Sequence, residues 1–395
     1  MPELYQEKQV CITGAGQSAV GRPSSRSAMQ LTMDACYQAV ADAGLRMSDI
    51  EGVGTYPGKF SQGGGIGPVS TTDAAFALGI KPKYVISSAD GHSHMGPMFA
   101  AMWAIANGIA RHVLIFRAIH QATARLASRE STLLSGSGSA RVDGNNAWTV
   151  PFNARSPANT FALFAQAYFD KYGATSEQLG AIAVNGRKMA QHNPNAIFRK
   201  PITLDDYMAS RVISSPLRLY DCDSHVDGAT ALLLSHQDTV KGLRNPPIRI
   251  EAIGMSLGGI GAGVYQGDFT SLACHEAGEQ LWSRTDLKPD DVDCAQIYDG
   301  FSIHVLLWME GLKLVPRGEA ARFVEGGGRI GLEGELPLNT SGGQLSAGRL
   351  HGYGHTHEAT VQLWGRGGGR QVRDARTCLV ANGGYGFGAM LLRRD

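Results

Sequence analysis

Apolar and polar positions along the chain change period in a regular order. Val10 to Gly14 and Ile248 to Gly254 are apolar stretches that end near glycine, and they predict strands. Each precedes a segment with its apolar residues on one helical face, Ala28 to Ala43 and then Phe269 to Trp282. Tyr84 to Ser88, Val113 to Phe116, Ala229 to Leu234 and Thr377 to Val380 also predict strands. Met95 to Asn107 predicts a helix that is apolar or small nearly all round and therefore buried, with Gly108 ending it. Phe161 to Tyr172 predicts an amphipathic helix, and Glu358 to Leu363 a helix reached through a long glycine-rich loop. Strands alternating with helices predict an α/β fold.

The order repeats. Gly44-Leu-Arg-Met-Ser-Asp-Ile-Glu-Gly-Val-Gly-Thr-Tyr-Pro-Gly58 can be laid without a gap on Asp286-Leu-Lys-Pro-Asp-Asp-Val-Asp-Cys-Ala-Gln-Ile-Tyr-Asp-Gly300. Leu45 then pairs with Leu287, Asp49 with Asp291, Ile50 with Val292, Tyr56 with Tyr298 and Gly58 with Gly300. Strand, helix, Asp-led turn and short strand thus occur twice, at a period that implies duplicated domains rather than a solenoid. We place one half at 1–245 and the other at 246–395. Residues from about 121 to 216 depart from the rhythm and read as an excursion inserted into the first half.

A length of 395 residues suits two to three structural units. A net charge of +1 gives no reason to expect nucleic acid or a membrane surface as partner. No apolar run approaches the roughly 20 residues that span a bilayer, and the polar N-terminus does not read as a signal peptide. The six cysteines, Cys11, Cys36, Cys222, Cys274, Cys294 and Cys378, are scattered without a CxxC pair. They suggest neither a disulfide framework nor a zinc ribbon, and a reducing cytoplasm is the expected location.

Four motifs carry candidate chemistry. Gly14-Ala-Gly-Gln-Ser-Ala19 fits a dinucleotide fingerprint, but the next strand ends in Pro57-Gly58 where a ribose-binding carboxylate is needed. Histidines crowd at His92 and His94, and again at His351, His355 and His357; a polar acid/base pocket is the better reading than a metal site, because no carboxylate stands at ligand spacing. Asn339 to Glu358 gathers Arg349, His351, Tyr353 and His355 within a few residues. Asn382-Gly-Gly-Tyr-Gly-Phe-Gly388, with Gly384 and Gly386, reads either as a nest of N–H groups for an anion or as a tight turn between strands.

The order of Ile12-Thr-Gly-Ala-Gly, Tyr220-Asp-Cys-Asp-Ser-His-Val-Asp-Gly-Ala229, Ile297-Tyr-Asp-Gly-Phe301, the Asn339–His357 loop and the closing glycine-rich turn resembles the thiolase superfamily, in its sterol carrier protein X branch. The resemblance implies a duplicated αβαβα fold with two sheets around buried helices. It also implies that the nucleophilic cysteine of thiolases falls at Gly91, in Ser88-Ala-Asp-Gly-His-Ser-His-Met95, where there is none. The thiolase Gly-His-Pro histidine falls at Arg349 and the Asn-Glu-Ala-Phe asparagine at Tyr298. These departures are similar to those of the steroid side-chain retro-aldolases, also called lipid-transfer proteins.

That likeness implies retro-aldol cleavage of a β-hydroxyacyl-CoA into a ketosteroid and a short acyl-CoA. CoA enters as part of the substrate, and no cofactor is expected in this chain. It further implies a small OB-fold and zinc-ribbon (DUF35-type) partner on a homodimeric core, giving a heterotetramer. Tyr298 and Tyr353 become the acid/base pair, supported by His351 and His355. Gly91, His92, His94, Asp299, Arg349, Gly384 and Gly386 become candidates for binding substrate or the enolate oxygen. A phenol base must fall from about 10 toward 7, which takes roughly 4 kcal/mol of preferential phenolate stabilisation. Arg349, His351 and His355 are the expected sources. Two alternatives stand beside this: an acyltransferase using Cys222 or Cys378, and a lipid or acyl-CoA carrier without turnover.

Overall fold

The computed structural model describes residues 5–59, 65–88, 93–134, 146–154, 156–257, 260–261, 264–265, 268–270, 273–384 and 386–395. The predicted strands gather in one mixed sheet of nine. They are β1 (Val10–Gln17), β2 (Gly52–Thr55), β3 (Tyr84–Ser87), β4 (His112–His120), β5 (Asp227–His236), β6 (Ile248–Ser256), β7 (Cys294–Ile297), β8 (Thr377–Asn382) and β9 (Phe387–Arg394). The spatial order is β7-β8-β9-β6-β1-β5-β4-β2-β3. β1 and β6, the first strands of the two repeats, meet only through Cys11 opposite Arg249 and Ile12 opposite Ile248. This short antiparallel seam joins two wings. In each wing the short strand of the repeat runs parallel to its neighbour, β2 beside β4 and β7 beside β8.

Helices cover both faces. α1 (Ala28–Ala43) and α2 (Thr71–Leu78) pack on one side of the first wing, against Val53, Leu114, Phe116 and Leu233. α3 (Gly96–Ala106) and α9 (Tyr353–Leu363) share a central core with Ile12, Ile115, Leu232, Val380 and Met390. Beyond the second wing lie α5 (Pro157–Tyr172), α6 (Ser176–Ala190), α7 (Cys274–Trp282) and α8 (Ser302–Gly311), on Leu379, Ala381 and Leu391. Consecutive residues of β8 alternate between the central and outer cores, as strand pleating requires. The result is the expected αβαβα layering, except that the two expected sheets are wings of one continuous sheet, because the first strands of the two repeats pair at the seam. The excursion after β4 holds α4 (Gln121–Leu134), α5 and α6, and contributes no described strand to the large sheet.

The glycines of the dinucleotide-like motif have a packing role. Gly14 and Gly16 lie inside β1, where an added Cβ would stand 2.1 Å from the Ala39 carbonyl and 2.2 Å from that of Ala35. Gly254 of β6 meets the Ala277 carbonyl in the same way, at 1.8 Å. Both repeats thus bring a helix onto its strand through missing side chains. The Asp-led turns match as well: Asp49 accepts the Arg46 amide at 2.9 Å and Asp291 the Lys288 amide at 2.8 Å.

Two helices start elsewhere than the pattern predicts. α7 begins at Cys274, five residues after the expected Phe269. α9 begins at Tyr353, five residues before Glu358, and this carries Tyr353 and His355 from a loop onto the first turn of a buried helix. Gly352, at φ +80°, makes that early start possible. No helix among the described residues is long and apolar enough to cross a membrane.

Candidate active site

Chain ends and turns at one end of the sheet bring the site together. Tyr56 follows β2 directly and Tyr298 follows β7 directly, so the tyrosines paired by the repeat occupy equivalent places. His94 sits in the turn before α3, and its ring lies between those two phenols. It meets Tyr56 edge-on at 4.8 Å and Tyr298 nearly parallel at 5.3 Å. His351 packs on His94 at 5.0 Å. Gly300 lets Tyr298 fold back over the chain, since a Cβ there would stand 2.9 Å from the phenol oxygen.

Tyr353 is fully buried, and its hydroxyl makes no hydrogen bond among the described residues. It shares a neighbour with Tyr298 and Tyr56, because all three phenols act on the charge of Arg117. Arg117 lies on β4 with no exposed surface. Sequence reasoning missed it, because one arginine inside His112-Val-Leu-Ile-Phe-Arg-Ala-Ile-His120 reads as a strand position and its partners are far away in the chain. Tyr56 was legible only as the repeat partner of Tyr298.

The remaining candidates form a supporting frame. Asp299 is 2% exposed, accepts the amides of Gln344 (2.8 Å) and Leu345 (3.3 Å), and accepts from His355 Nε2 at 3.0 Å. His355 Nδ1 makes no bond among the described residues and borders a cavity of about 260 Å³ with Gln344, Gly352, His357 and Arg370. None of the other expected site residues among those described lines that cavity. The Arg349 guanidinium grips Asp223, with Nε at 2.7 Å from Oδ2 and Nη2 on the other oxygen. Its fork is thereby engaged, so its place is that of a strut between the 339–357 loop and the Asp223 segment rather than a free contact for substrate. Gly384 and Gly386 fall in the hairpin turn between β8 and β9, the plainer of the two readings of that motif. Gly384 also makes room for His304, whose Nε2 a Cβ would approach to 2.9 Å. Gly91 and His92 lie outside the described residues.

Electrostatics runs against one expectation. Burial pushes the phenols of Tyr298 and Tyr353 up, not down toward neutrality. The nearby Asp223 carboxylate adds to the rise at Tyr298, whereas Arg117 pulls Tyr353 back. Of the expected helpers, Arg349 does pull Tyr298 down, against the larger effect of burial, whereas burial and the Arg117 charge drive His351 itself well below the usual imidazole range. His94 falls to about 3, from burial and then Arg117, and His304 to about 3 from burial. The resting site therefore holds protonated phenols and neutral imidazoles around one buried guanidinium. Neither of the two candidate cysteines is set up as a thiolate. Burial raises Cys222 to about 12, and Cys378 is raised well above the ordinary thiol value by burial and its contact with Cys294.

Residues 263–391 match the thiolase C-terminal domain-like family. A steroid side-chain-cleaving aldolase of Thermomonospora curvata is 34% identical over 382 residues, covering 94% of each chain. The 17-hydroxy-3-oxo-4-pregnene-20-carboxyl-CoA lyase of Mycobacterium tuberculosis is 32% identical, with 90% of this chain and 92% of that protein aligned. A solved structure titled Ltp2-ChsH2(DUF35) aldolase superposes over 98% of both chains, with 33% identity and a TM-score of 0.86. The acetyl-CoA acetyltransferase of Syntrophomonas wolfei, 17% identical with a TM-score of 0.69, shares the fold. With its duplicated halves, its glycine-packed strands and relatives aligned over nearly its whole length, the chain belongs to the thiolase superfamily, in the family of the steroid side-chain-cleaving aldolases.

Proposed function

We propose that this chain cleaves the CoA thioester of a steroid side chain by a retro-aldol reaction, releasing a ketosteroid and a short acyl-CoA. The observation that carries the reading is the phenol–imidazole cluster around Arg117 in a thiolase fold with no cysteine at the position of the family's nucleophile. The β-hydroxyl gives its proton to a base, and its oxygen becomes the ketone. The Cα–Cβ bond breaks, and its electron pair passes into the thioester enolate. An acid then protonates the enolate carbon, so no oxidant or covalent acyl-enzyme enters the balance. Tyr353 suits the base, because Arg117 favours its phenolate. Tyr298 suits the acid, because the neighbouring Asp223 favours its protonated form. His94 and His351 supply donors for the enolate oxygen. His355 and Asp299 hold the 344–345 turn beside Tyr298.

The name of the Ltp2-ChsH2(DUF35) aldolase supports a DUF35-type partner, here a small OB-fold and zinc-ribbon protein on a homodimer of this chain. The test uses the full chain with such a partner and a 17-hydroxy steroid side-chain CoA. Tyr298→Phe and Tyr353→Phe should each lower acyl-CoA release by about 100-fold or more, the range of general acid–base catalysis. Near wild-type release by both folded variants would refute the assignment. Trapping of an acylated protein during turnover would favour the acyltransferase reading instead.

A further inference from the structure

Arg117 is a buried cation whose hydrogen-bond partners among the described residues include no carboxylate. Its Nη1 donates to the carbonyls of Tyr56 (2.8 Å), Ala118 (3.1 Å) and Ile66. Its Nη2 stands 2.9 Å from His351 Nδ1, and Nε has no partner among the described residues. Burying a guanidinium is costly unless its donors are satisfied, and here carbonyls and an imidazole, rather than a described carboxylate, take them at the centre of the phenol cluster.

The contact with His351 fixes a proton. A guanidinium has donors only, so His351 Nδ1 must accept, and the ring proton of the neutral imidazole must sit on Nε2. No described residue bonds to Nε2. The His351 backbone is held at φ +46°, in the left-handed region that a residue with a Cβ seldom occupies. Gly352 and the start of α9 follow it, so the ring is placed by the loop-to-helix junction as well as by Arg117. Among the described residues, the groups whose charge acts most on the ring are Arg117, His94, Arg349 and His225, and none of them supplies negative charge to favour an imidazolium.

We infer that Arg117 is a positioning residue that holds His351 as the neutral, Nε2-protonated tautomer, so that His351 offers an N–H donor to the thioester oxygen as the enolate forms. The inference rests on the retro-aldol reading and adds to it the identity of one donor and the group that sets it. A neutral imidazole donates to an enolate oxygen without surrendering its proton, whereas the opposite tautomer would turn a lone pair toward the developing negative charge.

The experiment labels histidine with ¹⁵N in the full chain and reads two-bond ¹H–¹⁵N correlations at neutral pH. His351→Gln identifies the signals by their loss. The expected wild-type spectrum shows His351 neutral and protonated at Nε2. Arg117→Gln should shift it toward the Nδ1-protonated form and lower kcat by about 100-fold with little change in KM, the scale of losing one oxyanion donor. Arg117→Lys, which keeps charge and a donor, should recover part of the loss. If Arg117→Gln does not fold, the wild-type spectrum alone decides. An Nδ1-protonated or cationic His351 in a wild-type protein that cleaves its substrate overturns the inference and leaves the retro-aldol reading standing. A wild-type protein that cleaves no β-hydroxyacyl-CoA, with its partner present, overturns the retro-aldol reading and the donor role together.

Discussion

Asp223 and Arg349 show how much a single pair decides at this site. The Asp223 side chain is 1% exposed and that of Arg349 19%. Removing the guanidinium by Arg349→Ala would leave a buried carboxylate without a counter-ion, and should cost about 3–5 kcal/mol of stability in urea unfolding. Asp223→Asn combined with Arg349→Met should cost less than Arg349→Ala alone, since no uncompensated charge remains. His355 and Asp299 are coupled in the same manner. Asp299→Asn keeps the shape but weakens acceptance of the two loop amides and of His355 Nε2. It should lower kcat by more than it lowers stability, because the loop it holds lies beside Tyr298.

At the scale of elements, helix-to-strand distance is set by missing Cβ atoms. Gly14→Ala and Gly254→Ala each push a methyl group into a helix carbonyl, at 2.1 Å from Ala39 and 1.8 Å from Ala277. Each should destabilise by about 1–3 kcal/mol or more, as overpacking does. Gly328, with ordinary helical angles and no atom within 4 Å of an added Cβ, is the control and should tolerate alanine. Gly352 combines both constraints: φ +80° and a Cβ position 1.8 Å from Asn382 Oδ1. Gly352→Ala should therefore displace the first turn of α9, and acyl-CoA release should fall further than the melting temperature suggests, since that turn carries Tyr353 and His355.

For the whole molecule, buried neutral histidines predict an acid-labile fold. Burial holds His94 and His304 neutral down to about 3 when folded, against about 6.5 for a free imidazole. Below pH 6.5 the unfolded chain takes up protons that the native state refuses, so stability falls as pH drops from 6.5 toward 3. Each such group contributes a slope of up to about 1.4 kcal/mol per pH unit. His225, lowered to about 4, acts in the same direction. Asp221, raised by burial to about 6, opposes them between 3.8 and 6 because the native state binds its proton first. His112, His275, His351 and His357 are lowered as well, whereas Asp223 and Glu310 are raised with Asp221, so the lowered histidines outnumber the raised acids and leave a net loss. Thermal melts from pH 7 to 5 should show it, and His304→Gln should flatten the slope by about one proton.

Most of the strand and helix order, the duplication and the pairing of Tyr56 with Tyr298 were legible in the residues alone, because each is written in local periodicity or in a short run of matched residues; the strand Phe387–Arg394 and the helices Thr71–Leu78 and Ser302–Gly311 were not. The sequence also located the 339–357 loop and the want of a cysteine near Gly91, since motif order needs no coordinates. Tertiary structure alone decided that Arg117 stands among the phenols. Its partners Ile66 and His351 are 51 and 234 positions away in the chain, so no window of sequence contains them. It likewise decided that Arg349 is bound to Asp223, and that α9 starts at Tyr353, where Gly352 and burial between the two wings override a first turn poor in helix formers. Protonation belongs to the same class: a phenol or imidazole carries its ordinary pKa in the sequence, and only desolvation and neighbouring charge, which are properties of three-dimensional packing, move it.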